Sequence, residues 1–584
     1  MAANRQHAHS QVKTARLFIE QPGYMEVCIA ALAFVAYMGS LTFGFVTDDR
    51  SQILNNPEIH SWASLPGYFT HAVWSVIAPY TPANYYRPIF FVWLRANYML
   101  FGTSSVGWHA SAVLLHVIVC VLMFRYVWRL LGSRSIAAVA TLLFVLHPVH
   151  VESVAWISGA TDPLMAVLML ISALAFLQWS ANKGLGWYAL SLVAGFLAMF
   201  TKETALLLPI LLVATALTSQ LPQATRARRA IFLGSLPFVA LVGLYLGARE
   251  WALHAFAHNV KGIGIATMVE SWPAVMAFYI RQLIFPVTLS PYYNLDFVHT
   301  WRSGQFWLPL LFVVPVLALT VYLIQKAPAR RQLWTATLWL VLPLLPVLYL
   351  RVFSQRELVH DRYLYLPSLG LCILVAVGFE KTASWFSRMP SGKVIVRASY
   401  AIIFVLLGIA TVVYQTYWVN DLVLYTRGIK IAPLNDTAVV NLGVIYIEHG
   451  QLQQGMSMFE EEIARNPDNA TALFNLGRAE YGLGHYQSAE TLVGRAIVLA
   501  PGRADWWLMY AGIEIKVGKY EQAEAAARRA LAIDPNGNDY HVALGAVLLT
   551  RGDREGAAAE FRKELELHPG DPRALQGLAQ LQSQ

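Results

Sequence analysis

Between residues 25 and 419 the chain is a succession of apolar stretches, most of them close to the ~20 residues that cross a hydrocarbon core about 30 Å thick. This feature leaves few folds open. Inside lipid every backbone N–H and C=O must find its partner within the chain, so apolar segments of this length are read as membrane helices. The candidates are 25–46, 106–131, 134–149, 161–180, 185–201, 203–219, 229–248, 305–325, 333–350, 363–380 and 397–419. Only 13% of the residues are charged, against about 25% in soluble domains, and the deficit is concentrated in this region.

The net charge of +8 does not point to nucleic acid, because the basic residues sit in short loops between apolar segments. Arg5, Lys13 and Arg16 precede the first segment and place the N-terminal tail, 1–24, in the cytoplasm. Arg125, Arg129 and Arg134, then Lys183, then Arg226, Arg228 and Arg229, then Lys326, Arg330 and Arg331, and finally Lys381, Arg388, Lys393 and Arg397 mark alternate loops. The alternation holds provided that 271–288 does not cross. That segment carries Arg281 and Gln282 and is bounded by Pro273 and Pro286, so it reads as re-entrant or interfacial. Eleven crossings follow, with the C-terminal region outside the cytoplasm. No cleaved leader is expected, since residues 1–20 are polar and basic and the first apolar stretch can stay as an anchor. Cys28, Cys120 and Cys372 all lie in apolar stretches and read as buried small residues, not as a disulfide framework.

After residue 424 the composition becomes that of a soluble helical protein. Pro433, Pro467, Pro501, Pro535 and Pro569 recur 34 residues apart, with Gly450, Gly484, Gly518 and Gly552 in step and a small residue at Gly443, Gly477, Ala511 and Gly545. A strict 34-residue period of helix pairs is the tetratricopeptide (TPR) signature. Proline ends each second helix, and glycine lets the paired helices meet closely at the turn. The fold class is therefore all-α: a membrane bundle at 25–424 followed by a TPR solenoid at 425–584. Such solenoids bind peptides or proteins in a concave groove. Trp506, Trp507 and Tyr510 either line that groove or sit in the interhelical core.

Four polar clusters in the membrane half fall on the outer side in this topology. The first outer loop, 47–105, opens on Asp48 and Asp49 and later contains Arg87, ahead of an amphipathic surface helix at 88–101. His147, His150 and Glu152 follow the third segment, with Trp156 and Asp162 beyond. Their spacing is not that of a helical zinc site. Lys202 and Glu203 interrupt an apolar run, either pairing with each other or serving a function, since charges at membrane depth are costly. His360, Asp361, Arg362 and Tyr363 head the tenth segment, where an interface belt is the ordinary alternative. Independent surface residues would not be expected to share one side, so these clusters read together as an active site. A non-enzymatic membrane scaffold recruiting partners through its TPRs predicts no such clustering.

Phe45-Val46-Thr47-Asp48-Asp49, Tyr86-Arg87-Pro88, Gly107-Trp108-His109 with Leu115-His116, the run from Leu146-His147-Pro148 through Glu152 to Trp156-Ile157-Ser158-Gly159, Lys202-Glu203 and Asp361-Arg362-Tyr363 resemble the transmembrane-and-TPR O-mannosyltransferases, members of the C-type (GT-C) membrane glycosyltransferases. The resemblance implies a polyprenyl-phosphate-linked sugar donor, inverting transfer at a periplasmic or luminal face, and a protein acceptor recruited by the TPR array. It implies Asp48 or Asp49 as the base. It also implies Arg87, His109, His147, His150, Glu152, Asp162, Lys202, Glu203, Arg362 and Tyr363 as the residues that hold donor phosphate and sugar. A divalent ion at Asp48 and Asp49 is left open. A lipid-linked polysaccharide ligase or polymerase is the alternative enzyme, distinguished by a long glycan on diphosphate in place of one sugar on monophosphate.

Overall fold

The computed structural model describes residues 23–77, 83–255, 257–259 and 263–583; Arg5, Lys13 and Arg16, on which the orientation of the tail rests, lie outside them. Among the described residues the regular structure is helical throughout. The chain divides after Ile431 into a membrane unit and a repeat unit.

Eight helices of the membrane unit are long and apolar enough to cross a bilayer, which makes this an integral membrane protein. A ninth candidate is a bent pair, Arg134–Leu146 and Pro148–Ala155, angled at 54°. By apolar length alone, 134–149 is a single segment. Pro148 cannot continue the helix hydrogen-bond ladder, so the helix stops at Leu146 and restarts after a short turn. Leu185–Met199 and Glu203–Thr218 are apolar but shorter. The expected interfacial segment forms one amphipathic helix, Ile265–Ile284, with Pro273 inside it and Gln282 on its buried side. Residues 88–101, expected as a surface helix, form the helix Pro88–Phe101, with Phe90, Phe91 and Leu94 buried against the protein.

The bundle core gathers around the Ser105–Leu131 and Thr161–Ser180 helices, where Trp108, Met123, Phe124 and Tyr126 are fully buried. The span Ile157–Ser180 is mostly buried within the protein, whereas Gly304–Gln325 and Gly392–Trp418 are mostly exposed. Their exposed Leu308, Leu311, Ile402 and Leu406 are therefore lipid-facing, as membrane helices without a water-driven core allow. Gly370 lets the Tyr365–Phe386 helix close on Arg330–Val341, since a Cβ there would run into the Ala336 carbonyl.

The repeat unit is four helix pairs, from Asp436–Glu448 with Leu452–Arg465 to Tyr540–Thr550 with Arg554–Leu567, followed by Pro572–Ser583. Its two glycine series do different work. Gly450, Gly484, Gly518 and Gly552 sit at the turns with φ of 78° to 88°, where a side chain is strained. Close helix approach belongs to the other series: a Cβ at Gly443, Gly477 or Gly545 would collide with Phe459, Val493 or Phe561. Trp506 is core, 2% exposed and stacked on Phe474 at 4.6 Å; Trp507 and Tyr510 are partly buried against the same clusters. Asn435 and Asn469 are helix caps, accepting from the backbone N–H groups of Ala438 (2.9 Å) and Ala472 (3.1 Å).

Candidate active site

The first membrane helix, Tyr24–Tyr37, runs into a 3₁₀ turn, Met38–Thr42, and then into a short extended segment. There the chain reverses at Thr47, whose φ of 47° is left-handed. This is unusual for a β-branched residue and costs of order 1–3 kcal/mol. The reversal sends the next two acids to different places. Asp49 is fully buried: its Oδ1 accepts the Ser158 N–H (2.8 Å) and hydroxyl (2.6 Å), and its Oδ2 accepts the Val46 N–H (3.3 Å). Burial pushes its carboxyl up to about 7 against those hydrogen bonds. Asp49 thus ties the acid turn to the Ile157–Ala160 turn, whose Gly159 leaves no room for a Cβ beside the Glu152 carbonyl.

Asp48 faces the other way. It lines a cavity of about 60 Å³ with Arg87, Arg362, Tyr85, Trp156 and Tyr363. Burial raises its carboxyl to about 6, and the Arg362 guanidinium pulls it down.

The cations around this cavity are held in pairs. The Lys202 ammonium, 3% exposed, donates to both Asp162 oxygens at 2.7 and 2.8 Å. Arg87 donates to Glu203 at 3.0 Å. Lys202 and Glu203, adjacent in sequence, therefore pair outward with two other elements and not with each other. Arg362 binds Glu152 through its side chain, and its backbone N–H donates to the second Glu152 oxygen at 3.0 Å. Tyr363 lies between two charges, its ring centroid 5.5 Å from Lys202 Nζ and 5.1 Å from the Arg362 guanidinium; Arg362 also sits 5.4 Å over Trp156. Asp361 turns away from the cavity to accept from Tyr293 (2.6 Å) and Gln282 (3.1 Å). That contact gives a structural reason for the Gln282 in the Ile265–Ile284 helix.

A second cavity, about 550 Å³, shares Trp74, Tyr85 and Tyr363 with the first. Lys202, Glu203 and Arg249 supply its polar lining; Leu206, Leu246, Val347 and Phe353 supply apolar wall. The lining thus combines a few charged groups with mostly apolar wall, the usual make-up of a ligand pocket.

The structure brings Asp48, Arg87, Glu152, Asp162, Lys202, Glu203, Arg362 and Tyr363 into one constellation, with Asp49 behind it. It does not bring the histidines there. His109 contacts the Gly44 carbonyl (3.4 Å), His147 the Leu283 carbonyl (3.0 Å) and His150 the Ser368 hydroxyl (2.7 Å), all inside the bundle. None is in the lining of either cavity. At the helix break beside Pro148, His147 and His150 point inward while Glu152 reaches Arg362; His109 points inward from the Ser105–Leu131 helix. Among the described residues the one grouping with metal-ligand spacing is Asp539, Glu564 and Asp571, far along the chain in the repeats. At the acid pair both Asp49 oxygens accept hydrogen bonds, and Asp48 shares its cavity with two guanidinium groups, which supply positive charge there.

Sequence reasoning missed three residues. Ser158 lay inside a quoted motif without a role. Arg249 sits just past the end of an expected segment, where a charge at membrane depth is itself a signal. Asp421, whose carboxylate accepts the Thr47 N–H at 2.8 Å, carries no signal in a single sequence.

Residues 86–245, which supply Arg87, Glu152, Asp162, Lys202 and Glu203, match the family described as dolichyl-phosphate-mannose-protein mannosyltransferase. Residues 440–506, 474–538 and 513–572 match tetratricopeptide repeats. The chain thus joins a membrane unit that matches a mannosyltransferase family over residues 86–245 to a TPR array. Its sequence is similar to animal proteins named protein O-mannosyl-transferases. Human protein O-mannosyl-transferase TMTC1 is 26% identical over 76% of this chain and 55% of its own length. A Caenorhabditis elegans protein O-mannosyl-transferase, F38B6.6, is 25% identical over 75% of this chain and 62% of its own. Mouse protein O-mannosyl-transferase TMTC4 is 26% identical over 74% and 65% respectively. The chain therefore spans between half and two thirds of the length of these relatives.

Proposed function

We propose that the protein is a membrane glycosyltransferase moving mannose, or a similar hexose, from a polyprenyl-phosphate donor to a protein hydroxyl at the non-cytoplasmic face. The observation that carries this reading is Asp48, an acid raised to about 6, set in a cavity between Arg87 and Arg362 and beside a larger apolar-walled cavity.

In this mechanism the acceptor hydroxyl enters the small cavity and gives its proton to Asp48 as its oxygen attacks the anomeric carbon. The bond from that carbon to the phosphate oxygen breaks on the opposite face, so the configuration inverts and the electron pair leaves with the phosphate. Arg87, Lys202, Arg249 and Arg362 stabilise the charge that develops there, because fixed cations in a site poor in water act where charge appears. Asp162, Glu203 and Glu152 hold three of those cations in place. The prenyl tail lies along Leu206, Leu246, Val347 and Phe353. Asp49 and the three histidines shape the site without touching the reacting atoms.

Residues 25–424 serve as the catalytic domain and 425–584 as the TPR domain that recruits the acceptor protein. The N-terminus is cytoplasmic, the membrane domain crosses eleven times, and the array lies in the periplasm or lumen. The test uses purified full-length protein with two labelled donors: mannose on polyprenyl monophosphate and an oligosaccharide on polyprenyl diphosphate. Transfer of the single sugar to a peptide hydroxyl, with inversion, supports the proposal. Transfer of the oligosaccharide alone makes the protein a ligase instead.

A further inference from the structure

Asp421 is the first residue of the Asp421–Ile431 helix, and its side chain is 4% exposed. It is not needed to start that helix, because Asn420 caps it: the Val423 N–H donates to Asn420 Oδ1 at 2.9 Å. The Asp421 carboxylate instead crosses to a segment 374 residues away. Its Oδ1 accepts the Thr47 N–H at 2.8 Å and its Oδ2 pairs with Arg50 Nε at 3.0 Å, so one carboxylate brackets both acids. Next to this clamp the Gly44 N–H donates to the Val419 carbonyl at 3.1 Å.

The bracketed turn is the strained one. Thr47 is left-handed with φ of 47°, a conformation that a β-branched residue keeps only when its surroundings impose it. The same conformation sends Asp49 to Ser158 and leaves Asp48 facing the cavity.

We propose that Asp421 is a positioning residue for transfer: it holds the Thr47–Arg50 turn in its left-handed form and thereby aims Asp48 at the acceptor hydroxyl. This rests on the reading of Asp48 as the base. Asp421 touches neither substrate. Its loss disorders the aim of the base while the cations around the donor stay paired as before.

The experiment compares Asp421→Ala, Asp421→Asn and Asp48→Asn in the full-length protein, measuring kcat and donor KM for mannosyl transfer. Asp421→Ala lowers kcat by about 10- to 100-fold, the scale of a misplaced reacting group, with donor KM changed less than about 3-fold. Asp421→Asn, whose side-chain oxygen still accepts the Thr47 N–H, keeps kcat within roughly 5-fold of the parent, losing only the charge on the Arg50 pair. If the alanine variant does not accumulate as folded protein, Asp421→Ser, which suits a helix start and is too short to reach Thr47, carries the same expectation. An unchanged kcat in the alanine or serine variant overturns the proposal. So does an asparagine variant as slow as alanine, or a loss confined to donor KM. Near-normal transfer by Asp48→Asn defeats the base assignment itself, whereas an inactive Asp48→Asn beside a normal Asp421→Ala defeats the clamp alone.

Discussion

Asp48 and Asp49 are neighbours with the same side chain and different work, and the difference lies in what each carboxylate touches. Asp49 accepts from Ser158 and Val46; Asp48 faces a cavity and two guanidinium groups. A base must be unprotonated to act, and burial raises Asp48 to about 6. Transfer should therefore be level above that value and fall about tenfold per pH unit below it, in a single-turnover profile taken with saturating donor. An acid limb near 4, the ordinary carboxylate range, would mean that a solvated acid does this work. Arg87 makes a contrasting prediction. Arg87→Ala removes a cation and leaves Glu203 without that partner, so donor affinity should fall by about 10- to 100-fold, the range for hydrogen bonds to charged groups, together with turnover. Equilibrium binding of labelled donor checks it. The acids, Arg87, Lys202 and Arg362 stand out in the sequence because polar residues at the mouths of apolar segments are conspicuous. The direction of each side chain is not legible there. The histidines are equally conspicuous and point inward; the aim of the acids follows from the backbone at Thr47, that of His147 and His150 from the break at Pro148, and that of His109 from the packing of the Ser105–Leu131 helix.

At the level of elements, the 34-residue repeat was open to reading because each unit repeats the same local physics of cap, close approach and turn. What one sequence does not separate is which glycine serves which need. Gly518 sits at a turn with φ of 85°, and Gly512 lies within the Ala504–Val517 helix with open space around its Cα. Gly518→Ala should destabilise the array by about 1–2 kcal/mol, the cost of a Cβ in the left-handed region, and Gly512→Ala should not. Limited proteolysis of the full-length protein reads this as faster cleavage within the repeats for the first variant alone. In the membrane half, apolar length locates helices well but does not see breaks. The run at 134–149 is apolar through Pro148, yet the proline ends the ladder, and the 54° bend that follows carries Glu152 to Arg362. The partners of Lys202 and Glu203 are hidden for a related reason: Asp162 and Arg87 come from segments distant in sequence, and only packing decides them.

For the molecule as a whole, the expected segments fall on helices in the structure, and the proposed sidedness concerns which loops face which compartment. In the proposed topology of eleven crossings, residue 425 is outside the cytoplasm and residue 328 inside. A phosphatase reporter fused at 425 should be active and one at 328 inactive; the reverse pattern contradicts this topology and moves the array to the cytoplasm. The claim on which everything else depends is that Asp48 is the base of a sugar transfer. It is tested most directly by measuring donor binding and transfer separately for Asp48→Asn, with purified protein and labelled polyprenyl-phosphate mannose. Turnover should fall roughly 10²- to 10⁴-fold, the range for a missing acid–base group, with donor affinity largely kept. Near-parental transfer by Asp48→Asn would contradict it.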